Sequence, residues 1–174
     1  MKPFIEKDYS HYSEKPVPNR PWNPRSKPVA DKVLKDLSNM LKGYDAEIRH
    51  MGSTALEIAG KNDIEIYIHP KDKNWEEIGS ILTKKFGEPG HAEPDFIGFN
   101  DKRKNFDVEI IEIRGAPWKM NKAMHKYFST HPKACREYEE VKKKYSYSKR
   151  DYQIHKDRFF ARIAEKLPED YVNE

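Results

Sequence analysis

Asp63-Ile64-Glu65-Ile66-Tyr67-Ile68-His69 alternates without interruption, with Ile64, Ile66 and Ile68 on one side and Asp63, Glu65 and Tyr67 on the other. A period of two is that of a β-strand, whose successive side chains point to opposite faces. The isoleucine face belongs to a core. The opposite face projects two carboxylates the same way, about 7 Å apart along the strand. A later segment, Phe106-Asp107-Val108-Glu109-Ile110, again places acids at alternate positions. If it pairs beside the first, Asp107 or Glu109 completes a cluster of three carboxylates. Crowded carboxylates raise one another's pKa unless a cation neutralises them, and hard oxygen donors of this kind suit Mg2+. The bland alternative for either strand is a solvated sheet face.

Outward from that strand, the preceding segment Ala46 to Met51 is a short strand that leads into Gly52-Ser53-Thr54 and a brief helical turn. Glycine lets backbone approach a ligand closely, and a helix N-terminus presents free N–H groups to phosphate. Further upstream, Val33, Leu34, Leu37, Met40 and Leu41 recur at helical spacing up to Gly43. Downstream, Asp72 can cap a helix whose apolar stripe is Trp75, Ile78, Ile81, Leu82 and Phe86. Strands at Phe96 to Phe99 and Phe106 to Ile113 flank an expected turn at Asn100-Asp101-Lys102-Arg103-Lys104. The last third reads as three helices: Trp118 to Phe128, a second carrying Ala134, Tyr138 and Val141, and a third from Lys149 to Leu167. The order predicts an α+β fold, a small mixed sheet with helices packed against it and a helical C-terminal part.

Residues 1–28 hold six of the twelve prolines and form an extended arm. Residues 29–170 form a single domain, with an α/β part over about 29–115 and a helical part over about 116–170. A chain of 174 residues with 21 aromatic side chains can build a core although its hydrophobic content is only 36 %. No stretch is long and apolar enough for a membrane span, and no hydrophobic signal core opens the chain, so no membrane partner is expected. The lone Cys135 excludes an internal disulfide and a Cys-based zinc cluster and fits a cytoplasmic location. Net charge is +4, but Arg114 to Lys166 carries 15 Lys or Arg against 6 Asp or Glu. That asymmetry suggests an anionic partner, or else helices with solvated basic faces.

The order Gly52-Ser53, then Asp63-Ile64-Glu65, then Phe106-Asp107-Val108 resembles the motif order of the polymerase-β-like nucleotidyltransferase superfamily. A closer resemblance is to the GrpB family. It rests on His50-Met51-Gly52-Ser53-Thr54-Ala55, Lys61-Asn62-Asp63-Ile64, Phe128-Ser129-Thr130-His131-Pro132, and the Tyr152, Lys156 and Phe159 run. It covers about residues 30–165. The sequence departs from the family pattern in carrying Asp63 in addition to Glu65, Asp107 where many members have histidine, and Leu56-Glu57-Ile58-Ala59-Gly60 in place of a Val-Pro-Gly loop.

The resemblance implies a nucleotidyltransferase-like sheet and a metal-dependent transfer of a nucleoside monophosphate from a triphosphate to an acceptor hydroxyl. Asp63, Glu65 and Asp107 are then both the Mg2+ (or Mn2+) ligands and the catalytic carboxylates, with Asp107 taking the acceptor proton. Gly52 and Ser53 contact the phosphates, and Lys156 neutralises them with help from Arg114 or Lys149. ATP is the first candidate nucleotide, and the acceptor is open. The competing reading is a catalytically inactive nucleotide- or partner-binding module of the same fold. A third is nucleic-acid binding through Lys142, Lys143 and Lys144 beside Tyr145 and Tyr147, possible but not favoured, because cations at a helix end also complement its dipole.

Overall fold

The computed structural model describes residues 7–71 and 74–173. The expected cap at Asp72 and the first residues of the arm lie outside the described residues. A five-stranded mixed sheet of order β1-β2-β5-β4-β3 forms the centre. Its strands are β1 (Ala46–Met51), β2 (Ile64–Pro70), β3 (His91–Glu93), β4 (Phe96–Arg103) and β5 (Phe106–Ile113). β2 pairs antiparallel with β1 and parallel with β5, so the two acid-bearing strands are central neighbours. The α+β fold expected from the sequence is thus the one observed.

Helices α1 (Ser26–Met40) and α3 (Trp75–Phe86) cover the isoleucine face. There Val33, Leu37, Ile78 and Leu82 bury Ile64, Ile66, Ile68 and Ile110. The opposite face is not solvated. Tyr67, Ile111 and Ile113 pack with Met51 and with Trp118 of α4 (Gly115–Thr130). Helices α5 (Pro132–Lys144) and α6 (Lys149–Ala164) complete the helical part around the stacked rings of Phe128, Tyr138 and Phe159. Trp118 and Tyr127 serve packing: Trp118 is buried against His69, and Tyr127 stacks on His131.

Three local expectations change. β4 continues to Arg103, which pairs with Phe106. The turn is therefore confined to Lys104 and Asn105, with Lys104 at a φ of 56°. β3 and the short α7 (Glu169–Asn173) were not legible, being three and five residues long without periodicity. Lys142, Lys143 and Lys144 do not form one basic patch, because Lys142 is 1 % exposed while its two neighbours face solvent. Tyr145 stacks on His155 rather than presenting a free ring.

The arm packs on the body as an extended strap. Lys15 and Val17 hydrogen-bond to the α5–α6 junction at Lys149 and Ser146, and further along Arg20 forms an isolated bridge with Gly60. The strap thereby links the helical part to the loop that precedes β2.

Candidate functional site

The site begins with a glycine that nothing else can replace. Gly52 opens α2 (Gly52–Ala55) at a φ of 76°, a region L side chains rarely adopt. A Cβ there would stand 2.6 Å from Oε1 of Glu65. The Gly-Ser turn and the central carboxylate therefore lie against one another. The turn is tied to β2 by a short relay. Thr54 Oγ1 donates to the carbonyl of Asp63 at 3.0 Å, and His50 Nε2 lies 2.9 Å from the same hydroxyl. Because the threonine proton is committed to Asp63, His50 Nε2 is the donor, and burial lowers the His50 pKa in keeping with a neutral ring.

The parallel register places Glu65 beside Glu109. Side chains in register on adjacent strands share a face, so Glu109 is the cross-strand partner of the Asp63-x-Glu65 pair. Asp107 stands apart. It is exposed, lies 3.6 Å from Lys102, and reaches the site only as part of the rim of a cavity of about 650 Å³ shared with Asp63 and Glu109. Asp63 is ion-paired with Lys61. Among the described residues no three His, Cys, Asp or Glu side chains are arranged to hold a metal ion.

Burial, followed by repulsion from Asp63 and Glu109, pushes the Glu65 carboxyl up to about 7, against the attraction of Lys61 and Lys156. Burial raises Glu109 as well, with Asp63 adding to it and Lys61 and Lys156 opposing. Tyr67 donates to Glu65 Oε2 at 3.4 Å. Lys156 of α6 lines a second cleft, about 720 Å³, together with Gly52, Glu65, Tyr67 and Tyr138. Its own pKa is lowered by burial and partly restored by Glu65. Glu65 is thus reached from the larger, mostly apolar cleft between sheet and helices, while Asp63 and Glu109 face the smaller polar cavity.

Of the basic residues expected here, Lys156 is in place and two are not. Arg114 follows the far end of β5, where it bonds Asp95 and the Pro94 carbonyl and lies over Trp75. Lys149 is drawn to the arm, its backbone bonded to Lys15 and its ammonium over Tyr12. A third lysine was misread from the sequence. Lys142 donates to Ser53 Oγ at 2.7 Å and to the Ala59 carbonyl, with its ammonium over the Tyr138 ring. Burial lowers its pKa to about 8. Its signal in the sequence, helical spacing four residues after Tyr138, was hidden by the two exposed lysines that follow it.

The donor set bears on a divalent cation. Asp63, Glu65 and Glu109 are hard oxygen donors of the kind Mg2+ prefers, and the raised pKa of Glu65 and of Glu109 comes first from burial, with repulsion from Asp63 adding to it. Their chemistry is that of Mg2+ ligands, but Lys61 already pairs with Asp63, and among the described residues no three such side chains gather around one point.

A family model described as GrpB protein matches residues 17–166. Among solved structures, the chain is similar to the conserved protein GrpB from Enterococcus faecalis, with a TM-score of 0.68 and 18 % identity over 86 % of this chain and 95 % of that one. It is also similar to a cytoplasmic RNA terminal U-transferase (TM-score 0.50, 14 % identity, 76 % of this chain and 40 % of that one). A structure of the GLD-2/RNP-8 complex gives a TM-score of 0.51 at 11 % identity, over 84 % of this chain and 59 % of that one. These likenesses are of fold, and the chain spans less than two thirds of the last two. No curated protein matches the chain significantly.

Proposed function

Since this chain belongs to the GrpB family, and its Gly-Ser turn lies against Glu65, whose neighbours on the same sheet face are Asp63 and Glu109, we propose that it is a nucleotidyltransferase. In this reading it binds a nucleoside triphosphate, ATP first among them, and transfers the nucleoside monophosphate to an acceptor hydroxyl. The supporting observation is the contact between Gly52 and Glu65, which puts a site for backbone approach to phosphate directly beside the acid pair. Asp63 and Glu65 would hold Mg2+ or Mn2+, which when bound supplies charge neutralisation for the triphosphate and the leaving pyrophosphate.

The chain's own residues divide the remaining work. Ser53, whose oxygen accepts from Lys142, is the hydroxyl that this reading turns toward a phosphate oxygen. Lys156 and Lys61 add positive charge on either side of the carboxylates. Glu109, whose pKa burial raises, is the base suited to take the acceptor proton, the role that the family resemblance implied for Asp107. The acceptor oxygen forms a bond to the α-phosphorus, the bond to pyrophosphate breaks, and the proton passes to Glu109. Action in the cytoplasm belongs to the same proposal. It is compatible with the single unpaired Cys135 and with the absence, among the described residues, of a helix long and apolar enough to cross a membrane.

One observation favours a binding-only module: Asp63 and Asp107 are each ion-paired to a lysine. Incubation with α-labelled triphosphates, Mg2+ and cell extract separates the two readings. Transfer of label that disappears in Asp63→Ala supports the enzyme. Mg2+-dependent thermal stabilisation by a triphosphate without any label transfer supports the module.

A further inference from the structure

Arg20 belongs to the proline-rich arm, yet its position is fixed from the site side. Its N–H donates to the Gly60 carbonyl at 2.8 Å and its carbonyl accepts from the Gly60 N–H at 3.0 Å. Gly60 closes the loop that begins at Gly52, and a Cβ on it would lie 3.3 Å from Ser53 Oγ and 3.1 Å from Lys142 Nζ. Asn62 secures the next residues of the arm, donating to the Pro21 carbonyl at 2.9 Å and accepting from the Asn23 N–H at 3.3 Å. On the other side Val17 is bonded to Ser146 at 2.7 Å. Proline at 16, 18, 21 and 24 restricts the backbone between these anchors.

The arm therefore brings one charged residue, its backbone fixed, to the polar cavity. Arg20 lines that cavity with Lys61, Asp63, Asp107 and Glu109. The nearby charges are largely committed to each other, Asp63 to Lys61 and Asp107 to Lys102. Among the described residues the Arg20 guanidinium has no hydrogen bond or ion pair. A permanently charged planar fork of donors, carried on a fixed backbone beside a site and unused by the protein, suits phosphate oxygens.

We propose that Arg20 is a binding residue for the polyphosphate of the nucleoside triphosphate, supplied by the N-terminal arm to the carboxylate site. The inference rests on the nucleotide-binding reading above and adds to it a ligand contact outside the α+β domain proper. The arm is then a part of the binding site, and its bridge to Gly60 couples Arg20 to the Ser53 turn.

Isothermal titration with Mg2+-ATP and with Mg2+-tripolyphosphate tests this on the full chain, comparing wild type, Arg20→Ala, Arg20→Lys and the arm control Lys15→Ala. The expected result is a loss of affinity of about tenfold or more for both ligands in Arg20→Ala, the size of a charge-assisted hydrogen bond. Arg20→Lys recovers part of it, Lys15→Ala matches wild type, and the melting temperature of unliganded Arg20→Ala is unchanged. Equal affinities of wild type and Arg20→Ala, or an equal loss in Lys15→Ala, overturn the role of Arg20 and leave the nucleotide site intact. Arg20-dependent binding of tripolyphosphate without label transfer supports this inference while refuting transfer. A wild-type chain that binds neither ligand overturns both.

Discussion

Glu112 is a carboxyl with no visible employment in the site. It lies on the isoleucine face of β5, fully buried, with both oxygens lacking a hydrogen-bond partner and one of them 2.9 Å from where a Cβ of Gly79 would be. Burial pushes its pKa up to about 8. The folded chain thus keeps a proton that the unfolded chain releases near 4.5. The stability this gives is complete below 4.5 and is lost as pH rises through about 8. Glu112→Leu removes an unsatisfied buried polar group and is expected to stabilise the protein by about 1–3 kcal/mol, more at pH 9 than at pH 6. Urea unfolding at the two pH values measures it, and a mutant weaker than wild type at both would refute the assignment. Lys142 is the opposite case, a buried charge with every partner in place. Lys142→Met strands Ser53 and the Ala59 carbonyl and is expected to cost about 1–3 kcal/mol by the same measurement.

At the scale of elements, the decisive feature is the parallel register of β2 and β5. Alternation along each strand identified both acid faces, because period two is a property of the strand alone. Which acid meets which depends on the offset between strands, and nothing local in Phe106-Asp107-Val108 encodes it. The structure sets Glu109, not Asp107, beside Glu65. The Gly52-Ser53 turn was legible for the converse reason: a glycine between a strand and a helical turn is a local signal. Arg114 and Lys149 were misassigned because a positive charge near a motif in sequence says nothing about its direction in space. Each instead finds a partner at the far end of β5 or on the arm. The register has a kinetic consequence. If Glu109 is the base, Glu109→Ala is expected to lower label transfer by about 100-fold or more, the usual range for a general base. Asp107→Ala, removing an exposed rim carboxylate, is expected to stay within about tenfold of wild type. The reverse ranking in a transfer assay would return the role to Asp107.

On the scale of the whole molecule, the site exists only because two halves close over it. Gly52, Glu65 and Tyr67 come from the α/β part, while Met120, Phe128, Tyr138 and Lys156 come from the helices on the other wall of the cleft. Burial by that closure is the main reason Glu65 titrates at about 7 instead of 4.5. The unliganded chain therefore holds a proton on Glu65 that unfolding releases, and the associated stability fades as pH rises from 4.5 through about 7. A divalent cation needs the ionised carboxylate and must displace that proton, so its binding strengthens over the same range. The thermal shift produced by Mg2+-ATP is accordingly expected to be larger at pH 8 than at pH 6. Glu65→Gln, isosteric and uncharged, is expected to raise the melting temperature of the free protein at pH 8 and to remove the pH dependence of the Mg2+-ATP shift. A functional carboxylate that weakens the empty fold is the usual mark of a site shaped for its ligand. Equal shifts at the two pH values in wild type, or an unaltered difference in Glu65→Gln, would mean that Glu65 is a passive part of the sheet and that the cation, if it binds, is held elsewhere.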